Sequence, residues 1–373
     1  MKKKIIIHCQ YVYGIGHFVR TIQLATTLIS EFDVYILNGG QNIDQFPIDP
    51  RIQIINIPAI YKSEKLNKLI PIDNEYTLEQ CFEKRKEIIS ETLERIVPDV
   101  IITEHFPFGF LFKEEALSYI SNAKTINQNV KVVASVREVI ENNNGGPNDN
   151  ISIEILNKEY DLLLIHGDEN IINIKESFPL INQLKINHIH TGYIVQHIES
   201  LPKKNEQYNI LVSIGAGRLG SELLQKVIDS YNYIDKNKFK LTLFTGVFQE
   251  NKHLLDVRND IELLEFNREL YLSKLSSCDL LISLGGYNSM IEAISINKKL
   301  LVYNREFTGN NLEQDIRIRT FKKLNLLDSF FFETTPEQLA NKLLETANDN
   351  NKKIIKINFQ GATNSLNEIK KLI

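Results

Sequence analysis

The sequence predicts an α/β protein made of two Rossmann-like domains with parallel sheets. Two observations point there. Short apolar runs without polar alternation recur along the chain, as strands covered on both faces require, and longer helix-periodic stretches separate them. Each half also carries a glycine-rich turn placed directly after a strand candidate and before a helix candidate. With 373 residues, 43% of them hydrophobic, the chain is long enough to bury two cores. The pairing suggests two nucleotide-type domains facing each other across a cleft.

In chain order the first series of strands is expected at Lys4–His8, Val34–Leu37, Gln53–Ile57, Val100–Thr103, Lys131–Ser135, Leu162–His166 and His188–Thr191. The second is expected at Asn209–Ile214, Lys240–Phe244, Ile261–Leu264, Leu280–Ser283 and Lys299–Tyr303. Val195–Tyr208 breaks this rhythm and reads as the interdomain linker, because it contains Pro202-Lys203-Lys204-Asn205-Glu206-Gln207 and has little apolar content. The expected domains are therefore 1–197 and 207–355, with a C-terminal segment 356–373. The polar stretch Glu141–Asn150, which contains Gly145-Gly146-Pro147, reads as a loop, and such loops often sit over sites. The tail Asn364–Ile373 reads as a helix.

Composition narrows the function classes. A net charge of −4 gives no electrostatic case for nucleic acid. Lys2-Lys3-Lys4 reads as a solvated start, allowing at most peripheral membrane association, and Ile5-Ile6-Ile7 is too short for a signal peptide or a span. Cys9, Cys81 and Cys278 are few and far apart, which suggests a reducing, cytoplasmic setting without disulfides or a cysteine metal site. No histidine–carboxylate cluster has metal-ligand spacing, so no metal and no cofactor are expected.

The most informative stretch is Leu284-Gly285-Gly286-Tyr287-Asn288-Ser289-Met290-Ile291-Glu292-Ala293, which follows the run Asp279–Ser283. A strand, two glycines, a polar cap and a helix start form an anion site. Gly285 and Gly286 let backbone approach a diphosphate, Asn288 or Ser289 caps or faces it, and Glu292 can accept from adjacent ribose hydroxyls. A tight turn with an exposed glutamate gives the same pattern. In Val212-Ser213-Ile214-Gly215-Ala216-Gly217-Arg218-Leu219-Gly220 small residues leave ligand space at the sheet's carboxyl edge, and Arg218 can meet a phosphate. Asn310-Asn311-Leu312-Glu313-Gln314-Asp315 opens another helix, where Glu313 and Gln314 suit sugar hydroxyls or simply form a polar first turn.

In the first half, Tyr13-Gly14-Ile15-Gly16-His17-Phe18-Val19-Arg20 begins like a dinucleotide fingerprint. Its third glycine is missing, however, and Leu37-Asn38-Gly39-Gly40 offers no acidic residue for a ribose. His17 lies just inside a helix start, which disfavours imidazolium and suits a general base. Thr103-Glu104-His105-Phe106-Pro107-Phe108-Gly109 ends a strand. There Glu104 can orient His17 or bind an acceptor hydroxyl, and Phe106 and Phe108 can stack on a sugar or fill core. Gly16, Arg20 and Arg137 complete the expected acceptor side, and His166-Gly167-Asp168 ends a further strand.

Taken together, these residues resemble the GT-B glycosyltransferases. The likeness is to family 28, which includes the peptidoglycan N-acetylglucosaminyltransferase, and to a branch of predicted bacterial glycosyltransferases. It covers both halves: G-I-G-H-F-V-R, T-E-H-F-P-F-G, S-V-R-E and H-T-G-Y in the first, Ser283–Glu292 and Glu313-Gln314 in the second. The resemblance implies two facing Rossmann-like domains and a nucleotide-sugar donor, by default a UDP-sugar, held mainly by the C-terminal domain. Gly285, Gly286, Asn288 and Ser289 would face the diphosphate, Glu292 the ribose, and Glu313 and Gln314 the transferred sugar. The Leu264–Phe266 loop would hold the base through backbone groups. Ser213, Gly215 and Gly217 would line the donor side. His17 would be the base of an inverting, metal-independent transfer to a small-molecule or glycan acceptor, and the C-terminal helix would cross back onto the first domain. The first turn lacks the fuller glycine run G-G-T-G-G-H of the peptidoglycan enzyme. Its Gly-x-Gly-His-x-x-Arg form is also similar to the shorter nucleotide-sugar hydrolases of the pseudaminic acid pathway, which use water as acceptor. A hydrolase is therefore the alternative reading.

Overall fold

A computed structural model describes residues 2–12, 14–43, 46–63, 68–140, 147–200, 206–215, 220–247, 255–304, 312–349 and 355–373. The chain divides into two compact units, one of Met1–Ile43, Ile48–Val195 and Ile357–Ile373, the other of Asp44–Pro47 and Gln196–Lys356. The boundary falls at the start of the expected linker, whose residues 201–205 lie outside the described residues.

The first unit contains strands β1 (Lys3–Cys9), β2 (Phe32–Asn38), β3 (Ile52–Asn56), β4 (Ile60–Ser63), β5 (Lys68–Pro71), β6 (Val100–Glu104), β7 (Lys131–Arg137), β8 (Leu162–His166) and β9 (Asn187–His190). Its first helices are α1 (Gly16–Leu28), α2 (Leu78–Ile96), α3 (Lys113–Ile126) and α4 (Pro147–Glu159). Seven strands form one parallel sheet in the order β3-β2-β1-β6-β7-β8-β9. From β1 the chain winds outward to β3 on one side, then returns to place β6 on the other. The switch point therefore lies between the carboxyl ends of β1 and β6, where open α/β sheets bind ligands.

The second unit contains β10 (Tyr208–Ser213), β11 (Phe239–Thr245), β12 (Glu262–Glu265), β13 (Leu280–Ser283), β14 (Lys299–Tyr303) and β15 (Asp328–Phe330). Its helices are α5 (Ser221–Ser230), α6 (Arg268–Ser277), α7 (Tyr287–Ser295), α8 (Leu312–Lys323) and α9 (Pro336–Asn348). The sheet order β12-β11-β10-β13-β14-β15, all parallel, puts its switch point between β10 and β13. Each sheet is buried against its own apolar cluster, with Ile6, Ile101, Val132 and Leu163 in the first unit and Val212, Leu243, Ile282 and Leu301 in the second.

One local device recurs at the amino edges of both sheets. Asp99, Asp161 and Asp279 stand just before β6, β8 and β13. Each accepts, at 2.8 Å, the backbone N–H at or beside the start of a neighbouring strand: Lys4, Val132 and Asn209 respectively. A carboxylate caps an edge amide that the ladder leaves unpaired and pins the register there.

All twelve expected strands are present, with ends differing by up to two residues. The sequence reading missed the antiparallel hairpin β4–β5 and the short β15. Lys62, Ser63, Lys68 and Pro71 interrupt any apolar run in the hairpin, and β15 is only three residues long. The expected loop Glu141–Asn150 needs correction: Pro147–Asn150 is the first turn of α4, where proline's missing N–H costs nothing. The remainder, residues 141–146, lies outside the described residues.

Helix α10 (Gly361–Leu372) packs against α1, with Ile369 fully buried. The segment leading into it pairs with the chain after β9. Tyr193 N–H donates to Asn358 O at 2.8 Å and Gly361 N–H to Tyr193 O at 3.1 Å. A Cβ on Gly361 would lie 2.4 Å from Gly192 O and 2.6 Å from the Tyr193 carbonyl carbon, so only hydrogen fits against that backbone. Gly361→Ala is expected to cost about 2 kcal/mol or more. A lower thermal midpoint is the readout, and an unchanged midpoint would mean that the C-terminal segment does not dock this tightly.

Candidate functional site

In the first unit the site gathers at the switch point. The turn after β1 starts α1, which carries His17 as its second residue, while Glu104 closes β6. His17 Nδ1 lies 2.9 Å from Glu104 Oε1. An ionised carboxylate only accepts, so Nδ1 carries the hydrogen and Nε2 keeps a bare lone pair. The same oxygen accepts from the Arg20 guanidinium, and Glu104 Oε2 accepts from the Ser135 hydroxyl at 2.8 Å. Glu104 and Arg20 side chains are essentially sealed from solvent, whereas the His17 side chain keeps 21% of its exposure. One imidazole thus reaches solvent from a buried, satisfied carboxylate. Burial, then the positive charge of Arg137, His105 and Arg20, holds the His17 imidazolium well below the ordinary histidine range.

His105 sits in the left-handed region (φ 70°) between Glu104 and the cis Phe106–Pro107 bond, with its ring 5.0 Å from that of His17. The reading of the sequence gave His105 no role, although it stands beside Glu104 in the quoted motif. Arg137 and Gly16 remain partly exposed near this edge. Three acceptor-side expectations are corrected. Phe106 and Phe108 are 5% and 2% exposed and belong to the core, Phe108 meeting the Phe178 ring edge-on, so neither is presented to a sugar. Arg20 is fully buried against Glu104 and reaches no acceptor.

In the second unit the strands at the switch point end in matching turns. Val212-Ser213-Ile214-Gly215 and Ile282-Ser283-Leu284-Gly285 share the pattern S-x-G, and Ser213 and Ser283 are direct register partners. Each serine Oγ accepts the glycine N–H two residues on, at 3.2 and 3.4 Å, and both glycines have positive φ, 71° and 77°. The hydroxyl holds a left-handed turn that only glycine adopts at no cost. The turns also touch: a Cβ on Gly220, which caps α5, would lie 2.9 Å from Leu284 Cδ1. Helix α7 then begins with Gly286 exposed at its N-cap, where it has no side chain to cap the helix, and with Asn288 and Ser289 partly exposed in its first turn. This is an anion-binding geometry. Ser283 was quoted in the sequence but given no role; the repeated S-x-G was the signal for it.

Other donor-side expectations change. Glu292 is 1% exposed, and its Oε1 accepts from Arg268 at 2.6 Å, beneath the Phe46 and Tyr271 rings on which that guanidinium rests. Glu313 is 5% exposed and accepts from Arg317 at 2.8 Å, one helical turn on, while Arg317 lies over the Tyr287 ring. Both carboxylates balance buried arginines and are not presented to ribose or sugar in this structure. Phe266 packs in the core with Phe244 and Tyr271, and its N–H is taken by Thr245 O, which leaves that amide unable to read a base. Gln314 stays partly exposed. Gly217, Arg218, Asn310 and Asn311 lie outside the described residues. Among the described residues no group of His, Cys, Asp or Glu is arranged to hold a metal ion.

Solved structures share this architecture along the whole chain. The chain is similar to CalG4, the calicheamicin glycosyltransferase, with a TM-score of 0.63 and 13% identity, covering 100% of this chain and 98% of that one. It is similar to UGT89C1 of Arabidopsis thaliana, with a TM-score of 0.64, 13% identity and 100% of each chain covered. It is also similar to MurG of Acinetobacter baumannii, with a TM-score of 0.56, 14% identity and 100% of each chain covered. The chain has the GT-B fold. No protein-family model and no curated protein matches the sequence. No helix among the described residues is long and apolar enough to cross a membrane.

The buried imidazoles carry a pH signature. His17 and His166 are both held well below the ordinary value, chiefly by burial, so the unfolded chain binds protons before the native one as pH falls through about 6.5. Stability is expected to be full above that pH and to decline below it, by up to about 1.4 kcal/mol per pH unit for each histidine. Denaturant unfolding at pH 7.5, 6.5 and 5.5 measures this. A flat profile would show that the native state accepts these protons readily.

Proposed function

We propose that the chain is an inverting, metal-independent glycosyltransferase. It would move a sugar from a nucleotide-diphosphate donor, a UDP-sugar by default, to a hydroxyl of a small-molecule or glycan acceptor. The observation that carries the reading is the His17–Glu104 pair, with Nδ1 committed to a buried carboxylate and Nε2 bare, at the switch point of a GT-B unit. Supporting it, the solved structures that resemble the chain include glycosyltransferases, and one UGT89C1 structure is complexed with UDP.

The roles follow from the two edges. His17 Nε2 takes the proton of the acceptor hydroxyl as its oxygen attacks the anomeric carbon. The bond from that carbon to the donor phosphate breaks, and the configuration inverts. The imidazolium that forms leans on Glu104. The departing diphosphate gains charge, which the amides of the α7 start, Gly286 with Asn288 and Ser289, and the turn at Gly215 would stabilise. Gln314 remains the candidate for the transferred sugar. Carboxylates 292 and 313 drop out of donor contact because their charges are already spent.

His17→Gln is expected to lower turnover by roughly 10²–10⁴-fold with little change in donor affinity. The test combines a panel of nucleotide sugars and acceptors, mass-spectrometric product analysis and donor calorimetry. Rapid release of free sugar without acceptor would replace transfer by hydrolysis, and full turnover in the variant would remove His17 from the chemistry.

A further inference from the structure

The hydrogen bonds at Glu104 do not stop there. Ser135 Oγ, which donates to Glu104 Oε2, lies 2.9 Å from His166 Nε2, and His166 Nδ1 lies 2.9 Å from Thr191 Oγ1. Glu104, Ser135 and His166 stand on the adjacent strands β6, β7 and β8, and Thr191 directly follows β9. The row thus crosses the carboxyl edge of the sheet strand by strand. Ser135 is 1% exposed, and His166 and Thr191 are fully buried. The Thr191 carbonyl in turn accepts from Asn364 Nδ2 at 2.7 Å, which anchors the far end to α10.

Counting protons fixes the direction of the row. Glu104 can only accept, so the single Ser135 hydrogen points to Oε2, and Ser135 Oγ must accept from His166 Nε2–H. A neutral His166 then presents Nδ1 as an acceptor, and the Thr191 hydroxyl is within reach to fill it. The Ser135 and His166 hydrogens point toward Glu104, while the one Thr191 hydrogen has His166 Nδ1, Gly192 O at 3.1 Å and Ile165 O at 3.3 Å within reach. A polar row this deep is costly unless each member is satisfied, and an apolar packing of the same strands would avoid the cost. The satisfied row gives Glu104 a donor on the oxygen that His17 does not use. Its carboxylate cannot rotate away or turn its proton-accepting edge from the imidazole.

We propose that Ser135 and His166 are positioning residues that act through Glu104 to hold His17 as the Nδ1–H tautomer with Nε2 bare. Neither touches the reacting atoms, and Thr191 closes the row. The catalytic consequence rests on the transferase reading, but the tautomer of His17 does not. The groups facing His17 are Glu104 from β6, His105 beside it, Arg20 from α1 and Arg137 from β7; Arg20 also faces His166. Removing the Ser135 donor leaves Glu104 more basic, which favours the His17 imidazolium. The His17 titration is therefore expected to move to higher pH.

The experiment is ¹⁵N NMR of histidine-labelled protein, with His17 assigned by its loss in His17→Gln. Wild type is expected to show a protonated Nδ1 and a bare Nε2. Ser135→Ala and His166→Phe are expected to shift the Nδ1 and Nε2 resonances of His17 and raise the titration midpoint, by about half a unit or more. Ser135→Thr, which keeps the hydroxyl, is expected to restore both. Circular dichroism confirms folding in each variant. If transfer is found, Ser135→Ala should lower kcat about tenfold or more at unchanged donor KM and shift the acid limb of its pH profile upward. Unchanged His17 shifts and titration in folded Ser135→Ala would overturn the proposal, whatever the activity assay finds. Altered shifts without any sugar transfer would support the positioning and count against the transferase reading alone.

Discussion

Glu104 is a carboxylate that folding removes from water, and the carboxyl edge of the first unit's sheet is arranged around the donors it then needs. A buried charge without partners costs several kcal/mol, and one whose partner is deleted leaves a penalty of about 3–5 kcal/mol. Arg20, Ser135 and His17 meet that demand from three different elements. The helix start after β1, the carboxyl end of β6 and the carboxyl-terminal part of β7 are held in mutual register because all three feed one group. His17 inherits this rigidity, because it is oriented by a carboxylate that cannot move without exposing an unmet charge.

The second unit solves a different problem. An anion held at a helix start is met by exposed backbone N–H groups. In the two S-x-G turns each serine holds its own glycine turn, and the two serines are register partners across β10 and β13. The nearby carboxylates are used for structure. Glu292 with Arg268 and Glu313 with Arg317 are buried pairs whose guanidiniums lie on tyrosine rings, and such pairs hold their helices in one arrangement.

Much of this was legible in the sequence because it is local. Unbroken apolar runs such as Ile5–Ile7 and Leu280–Ile282 have one stable use, a strand covered on both faces, and every expected strand is present. Glycines followed by a helix pattern located both turns. His17 and Glu104 could be paired before their distance was known, because each ends or follows a strand that the winding rule brings to the switch point. What failed were judgements about exposure. Phe106 and Phe108 stand in a motif of site residues, yet both side chains are buried in the first unit's core. Glu292 occupies a position that suits a ribose, but Arg268, twenty-four residues earlier, claims it.

The sequence by itself determined which segments become strands, where the chain must turn tightly, and which residues stand at the carboxyl edges. Periodicity, glycine and helix caps act within a few residues of each other. The tertiary structure alone decided which polar side chains are spent on one another and which remain for a ligand. That choice depends on partners distant in the chain: Glu104 on Arg20, His166 on Ser135, Thr191 on Asn364. Burial sets its energetic weight, because a charge or hydroxyl removed from water takes whatever partner the fold brings within hydrogen-bond reach.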